Sequence, residues 1–288
     1  MAAKRQKLVE KSILKAYNGH IFIYIQEEDP MIQLGPQLYT AREFTQTPEG
    51  IENTFRICHE NNYETVQISG FGPLPIDQMT ALLDKYQIKV CCTHSSFDRM
   101  KNDLDALIDE HKKMNCPVIG LGSMSAEYRE TPDGVFKFIE DITPIAAHIK
   151  EAGLQFAYHN HNFEFQRTSD GRLVMDVLLE DTDPDLFHFI PDTYWLQMGG
   201  VNPAEYLRKM NGRVEVCHFK DFAVNGFTPV FAEVGCGNIN LLECFKACQE
   251  IGVSSIVIEQ DVCPRDPFDC LQNSYKNLME IAKQAGDR

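Results

Sequence analysis

The chain has 288 residues and carries 27 Lys+Arg against 42 Asp+Glu, a formal charge of −15. That length supports one large domain or two modest ones, and the negative field disfavours non-specific affinity for nucleic acid or an anionic membrane. No apolar stretch approaches the roughly 20 residues that cross a bilayer, and HIFIYI at His20–Ile25 is followed by EEDP rather than by a cleavage site.

Residues 1–30 read as an N-terminal extension of uncertain structure, either a native helical or strand-like arm or upstream reading frame. From Met31 the chain alternates short apolar runs with longer amphipathic ones. IQLGPQLY, TVQIS, IKVCCTH and PVIGLG are expected strands. Between and after them, helices are expected after Thr47-Pro48 and through Met79 to Leu83, Leu104 to Ile108 and Val135 to Ile149, where apolar residues recur every three or four positions. The plan repeats with LQFAYH and LVMDVLL, LFHFIPD and PAEYLRKM, VEVCHF and INLLECFKACQE, and IVIEQ and CLQNSYKNLMEIAKQ. Eight strand-plus-helix units without a linker predict a single TIM (β/α)8 barrel over 31–288, with any active site at the C-terminal strand ends. An open doubly wound sheet is the rival, but no complete GxGxxG fingerprint follows a strand. Gly70 and Gly72 in SGFGPLP, and GCGN at 235–238, instead shape loops.

The ten cysteines include Cys91, Cys92, Cys116 and Cys217 in or beside apolar runs, and no two CxxC pairs stand together. Buried thiols in a reducing cytosol fit better than disulfides or a structural zinc cluster. Four late strands end in groups that bind hard cations: His159, His161 and Glu164; then Asp192; then His218; then Glu259 and Asp261. In a barrel these ends face one bowl. Two or more carboxylates with one or two imidazoles suit Mn2+, Mg2+, Co2+ or Zn2+, and such a site polarises a carbonyl and its neighbouring hydroxyl. Tyr194 and Trp195 could stack on a sugar or pack beneath the metal, and His188 inside its strand is expected to be structural.

FAYHNHNFEF, IPDTYW followed by GG, CHFKD, EVGCGNI and VIEQD, with QLYTAREF on the first strand, resemble the sugar phosphate isomerase/epimerase family within the xylose isomerase-like barrels. The resemblance covers Met31 to the C-terminus. It implies one divalent cation, Mn2+ first, on Asp192, His218 and Glu259 with a fourth ligand from strand five. That ligand is expected to be Glu164, with His161 near the substrate, while His159 or His161 on the metal is also chemically sound. By the same resemblance Lys220 contacts substrate, and His94, His159, Trp195 and Gln67 line its site. Gln67 departs from the glutamate of many relatives. The implied activity is isomerisation or epimerisation of a carbohydrate through an enediolate-like intermediate, with Glu259 or Glu164 as base and His161 or Lys220 as proton donor. A lyase or dehydratase of a 3-keto-glycoside or inosose is the alternative, and a non-catalytic sugar-binding barrel a third. The expected partner is a small carbohydrate, with neither nucleic acid nor membrane, in a cytoplasmic protein compatible with a homo-oligomer.

Overall fold

The computed structural model describes residues 31–288 together with the strand segments Lys11–Tyr17 and His20–Gln26. The chain divides into two compact units, Met1–Met31 and Ile32–Arg288. In the first, β1 (Lys11–Tyr17) pairs antiparallel with β2 (His20–Gln26), Lys11 opposite Gln26 and Tyr17 opposite His20; the remaining residues of the expected extension lie outside the described residues.

The second unit alternates strands and helices: β3 (Gln33–Pro36), α1 (Pro48–Glu60), β4 (Val66–Ile68), α2 (Ile76–Tyr86), β5 (Val90–Ser95), α3 (Phe97–Asn102) and α4 (Leu104–Lys113). There follow β6 (Val118–Leu121), α5 (Gly134–Glu151), β7 (Gln155–His159), α6 (Val174–Asp181), β8 (His188–Ile190), α7 (Thr193–Met198), α8 (Pro203–Lys209) and β9 (Val216–Phe219). A hairpin of β10 (Asp221–Asn225) and β11 (Thr228–Ala232), α9 (Leu241–Glu250), β12 (Ser255–Ile258) and α10 (Pro267–Gln284) complete it. Two parallel arcs, β3-β12-β9 and β4-β5-β6-β7-β8, meet at bridges Gln37–Gln67 and Phe189–Val214. The expected eight-stranded α/β barrel is present.

Strand sequence explains the wall. VIGL, VCHF and SIVI are buried at every position, as parallel strands covered on both faces must be. Side chains alternate across a strand, so one set faces the barrel axis and the other faces the helices. The axial set lacks aromatic rings: Cys92, Val118, Ala157, Ile190, Val216 and Val257 fall in one cluster, which Cys91 also joins. Their neighbours Phe156, Tyr158, Phe189, Cys217, Phe219, Ile256 and Ile258 join the outer core under the helices. The helix faces answer at helical spacing, as in α5, where Val135, Phe138, Ile142, Ala146 and Ile149 are buried. Thr47 caps α1 through a hydrogen bond from Gly50 N–H, and Pro48 occupies its first turn.

Three described elements go beyond the sequence expectations. The short helix α3 precedes α4, the short helix α7 starts just after its cap Asp192, and the β10–β11 hairpin replaces a loop expected after the seventh barrel strand.

Candidate metal centre and active site

The axial alternation fixes the site. Two residues beyond Cys92, Ala157, Ile190, Val216 and Val257, on the same face by parity, stand His94, His159, Asp192, His218 and Glu259. Each strand therefore ends by delivering a polar side chain into the bowl. His159, Asp192, His218 and Glu259 are all buried, and one ligand atom from each lies within 4.8 Å of every other. A bridge between Asp192 and His218 joins the sixth and seventh strand ends, and Pro191, which has no N–H, offers its carbonyl to His218 N–H at 2.8 Å.

The surrounding bonds orient the donor atoms. His159 Nδ1 meets the Gly122 carbonyl at 3.1 Å, which turns Nε2 toward Asp192 Oδ2 at 3.4 Å. His218 Nε2 meets Gln67 Oε1 at 2.8 Å, which turns Nδ1 toward Glu259 Oε2 at 3.1 Å and Asp192 Oδ2 at 4.0 Å. Asp192 spends Oδ1 capping α7, accepting from Tyr194 N–H at 2.8 Å and Trp195 N–H at 3.1 Å. Two imidazole nitrogens and two carboxylate oxygens thus converge, a donor set that suits a cation, with the outer nitrogen of each ring held by an oxygen acceptor.

Lys220 is the nearest resident charge. Its ammonium, 1 % exposed, lies 3.2 Å from Asp192 Oδ2, 3.1 Å from Glu259 Oε2 and 3.0 Å from Asp261 Oδ2. Burial alone would lower its pKa, but the three carboxylates outweigh burial and hold it above the ordinary lysine range. Reciprocally, burial works to raise Asp192 and Glu259, yet Lys220 keeps both below the ordinary carboxylate range. Three carboxylates and one ammonium leave two uncompensated negative charges, the charge a divalent ion would neutralise.

A cavity of ≈ 490 Å³ opens onto this group, lined in part by His94, His159, His161, Lys220, Glu259 and Asp261. His94 lies 5.2 Å from His159 between ring centroids, and His161 lies 4.8 Å from it and 5.2 Å from Trp195. Burial pushes His94 well below the usual imidazole range and His161 down to about 3, the Lys220 ammonium acting in the same direction on His161, so these rings are neutral at physiological pH. Among the described residues, buried polar atoms without a protein partner include His94 Nε2, His161 Nδ1, Trp195 Nε1 and Gln67 Nε2. Such atoms are costly unless met by a ligand or water. A similar cavity, ≈ 510 Å³, sits at the opposite barrel mouth around Gln33, Lys89, Glu215 and Ser254, the end at which a (β/α)8 barrel carries stability rather than chemistry.

Glu164, expected as the fourth ligand, is not in the converging group. It is fully buried with Oε1 accepting from Tyr158 O–H at 2.5 Å and Oε2 accepting from His161 N–H at 2.8 Å. Tyr158 belongs to the outer set of β7, so its hydroxyl draws the carboxylate behind the wall while His159, one residue on, faces the axis. Asp192, His218, Glu259, Lys220, His94, His159, His161 and Gln67 are assembled around the bowl as anticipated; Trp195 flanks it, with Lys220 Nζ 5.3 Å from the ring centroid. His188 lies at the start of its strand and meets Gln155 at 3.0 Å, away from the site.

Sequence reading missed the support behind Lys220. Asp221 accepts from the N–H groups of Phe222, Gly235, Gly237 and Ile239 at 2.9–3.1 Å, pinning the loop from Glu233 onward. A Cβ on Gly237 would stand 2.4 Å from Asp221 Oδ1, which explains the second glycine of GCGN. Phe231 from the hairpin stacks on Tyr194 at 4.6 Å and closes the wall beside Lys220.

The model of the xylose isomerase-like TIM barrel matches residues 53–267. The chain belongs to this family. The matched stretch of the xylose isomerase-like barrel runs from before Gln67 to beyond Asp261 and so contains every residue of the converging group. Inosose dehydratase from Geobacillus kaustophilus is 33% identical over 175 aligned residues, 51% of this chain and 56% of that protein. The chain thus spans about half the length of the curated relatives it matches. Among solved folds, a sugar phosphate isomerase/epimerase from Parabacteroides distasonis superposes with a TM-score of 0.71 at 23% identity, over 86% of this chain and 98% of that one. An IOLI protein with a bound zinc atom superposes with a TM-score of 0.66 at 12% identity, over 88% and 99%.

Gln67 offers a test of the ring orientation in this xylose isomerase-like barrel. Gln67→Leu removes the acceptor that holds His218 Nε2 and is expected to weaken divalent-metal binding about 10- to 100-fold, while Gln67→Glu, which retains an acceptor, restores it. Chelator competition on the folded variants reads the effect.

Proposed function

We propose that this protein is a divalent-metal-dependent enzyme of polyhydroxy ketones that removes the proton beside the carbonyl and expels the oxygen one carbon further on. The observation that carries this reading is that the carboxylate of Glu259 and the ammonium of Lys220 are neighbours, 3.1 Å apart, whereas the strand-five side presents imidazoles. Base and acid on one side serve a syn elimination. Epimerisation needs a proton-handling group on each side of the carbon, and Glu164, the second carboxylate in the sequence-based scheme, is committed to Tyr158.

His159 Nε2, Asp192 Oδ2, His218 Nδ1 and Glu259 Oε2 would hold the ion, which when bound supplies Lewis acidity to the carbonyl and, by its charge, eases proton release from Lys220. Glu259, through the oxygen turned away from His218, accepts the carbon-bound proton. The electron pair forms the new carbon–carbon double bond as the β carbon–oxygen bond breaks, and Lys220 Nζ gives a proton to the departing oxygen. Direct transfer from Glu259 to Lys220 then restores both groups. Asp261, 3.0 Å from Nζ, holds the ammonium in place, and His94, His161 and Trp195 offer their unpartnered nitrogens to the hydroxyls of the ligand.

The name inosose dehydratase on the matched relatives supports elimination from a cyclic keto-polyol. A donor set with two imidazoles favours Zn2+ or Co2+ over Mg2+, with Mn2+ accommodated less tightly than by a three-carboxylate set. Ten free cysteines, most of them buried, suit a reducing compartment such as the cytoplasm. NMR of the metal-loaded protein with a panel of inososes and keto-sugars is expected to reveal a dehydrated enone or its tautomer; accumulation of an epimer or an aldose instead would replace this reading with isomerase chemistry.

The buried Glu164 carboxyl adds a pH signature. Burial raises it to about 7 against the lowering effect of its hydrogen bonds. The folded state therefore binds this proton more tightly than the unfolded chain, so its contribution to stability is present below about pH 4.5 and is lost as pH rises to about 7. The loss amounts to about 3 kcal/mol. Chemical denaturation of wild type and Glu164→Gln across pH 5–8 is expected to show wild type losing stability relative to the variant; parallel curves would contradict the assignment.

A further inference from the structure

Large apolar side chains are seldom exposed on this barrel, and where they are exposed they keep together. Among the described residues they are Met31, Tyr39, Phe44, Val224, Phe227, Val230 and Val262. All but Met31, which precedes the first barrel strand, follow the C-terminal ends of β3, β9 and β12, the three strands of one hydrogen-bonded arc. The loops after β4 to β8 contribute none. Phe44 meets Phe268 edge-on at 5.2 Å and Arg42 donates to the Asp261 carbonyl at 3.2 Å, so the segments after β3 and β12 form one surface.

The β10–β11 hairpin is its most prominent part. Phe222 and Phe231 turn inward on Tyr194, at 6.2 and 4.6 Å between centroids, which occupies one face of the ribbon. The tip is Gly226-Phe227, and Phe227, at 105 %, is fully exposed. Gly226 at φ +63° serves the turn, but an aromatic ring at the next position does nothing for it. No residue from Phe222 to Ala232 is charged, and among the described residues neither edge of the ribbon pairs with a further strand. Monomeric proteins guard such edges with charges and keep exposed apolar patches small. The six residues offer on the order of 500 Å² of apolar surface, which matches the apolar share of an interface burying about 800 Å² per partner.

Charge selects the partner. Over 39–44, 222–233 and 262–268 the charged residues are Arg42 and Arg265 with Glu43, Glu233 and Asp266, and the buried Glu233 is paired with Arg265 at 2.7 Å. The patch is thus close to neutral on a chain of −15. Two copies repel one another elsewhere, and a strongly charged partner would find no counter-charge here. We propose that this rim is the two-fold interface of a homodimer, in which the hairpin tip of each copy packs on the Phe44 and Val262 side of the other and Arg42 answers the other copy's acids. Tyr39 and Asp261 also line the candidate cavity, so the second copy stands beside its mouth, while the loops after β4 to β8 leave the opposite side open to substrate.

Sedimentation equilibrium of the full chain is expected to show a dimer with a Kd of about micromolar or tighter. Phe227→Asp and Val262→Asp, on two different loops, each enter a two-fold interface twice and are each expected to weaken dimerisation at least about 100-fold, with far-UV circular dichroism unchanged. Ala126→Asp, the same charge on the exposed loop after β6, is expected to leave the dimer intact. A wild type that stays monomeric would assign the rim to some other partner and overturn the proposal. A dimer that survives both rim substitutions, or that Ala126→Asp breaks as readily, places the interface elsewhere and overturns it too.

Discussion

His159→Asn is expected to weaken divalent-metal binding by at least about 100-fold, whereas Glu164→Gln leaves it within about threefold. The difference follows from which side of β7 each group occupies. His159 turns Nε2 toward Asp192 Oδ2 at 3.4 Å and has its other nitrogen fixed by the Gly122 carbonyl. Glu164 has both oxygens engaged, by the Tyr158 hydroxyl and the His161 N–H, and reaching the centre would break both bonds and leave their donors buried. Chelator competition with Zn2+ on both variants measures the two constants. A large loss in Glu164→Gln with little change in His159→Asn would restore the carboxylate as fourth ligand.

Lys220→Met is expected to lower turnover about 10²- to 10⁴-fold while metal binding is retained or tightened. Methionine keeps much of the length and apolar stem of the side chain but has no proton to give to a leaving oxygen. The metal effect runs the other way because Asp192, Glu259 and Asp261 then face the bowl without their ammonium, and the excess negative charge favours an incoming cation. A purely structural lysine would lose stability and metal together. Steady-state rates on an identified keto-polyol, with metal affinity measured alongside, separate the two roles; loss of both together contradicts proton donation.

The eight barrel strands were legible because fully buried parallel strands are nearly continuous apolar runs, and the helices because their apolar residues recur every three or four positions, as in Val135, Phe138 and Ile142. Asp192, His218 and Glu259 were legible for a related reason: each is a polar residue closing such a run. Strand five, where HNHNFE offers three candidate ligands in a row, left the choice open. Counting by twos from Ala157, which faces the axis, gives His159; choosing a carboxylate by chemical type gives Glu164, which the fold holds outside the converging group. The small residue Ala157 beside the large aromatic Phe156 and Tyr158 was the available signal, since no aromatic ring joins the axial cluster. The hairpin also left a trace. Asn225-Gly226-Phe227 between apolar flanks, with Gly226 at φ +63°, makes a two-residue turn joining Asn225 to Thr228. Asp192 followed by Thr-Tyr-Trp was an N-cap before a short helix; in the fold Oδ1 makes the cap while Oδ2 faces His159, His218 and Lys220.

Loss of water from an inosose, followed by NMR in the chelator-stripped protein, the Zn2+-loaded protein and loaded Glu259→Gln, tests the elimination most directly. The proton beside the carbonyl is expected to disappear together with the β oxygen, giving an enone or its tautomer, in the loaded wild type alone. Elimination that proceeds equally without metal, or that survives intact in Glu259→Gln, would contradict this reading.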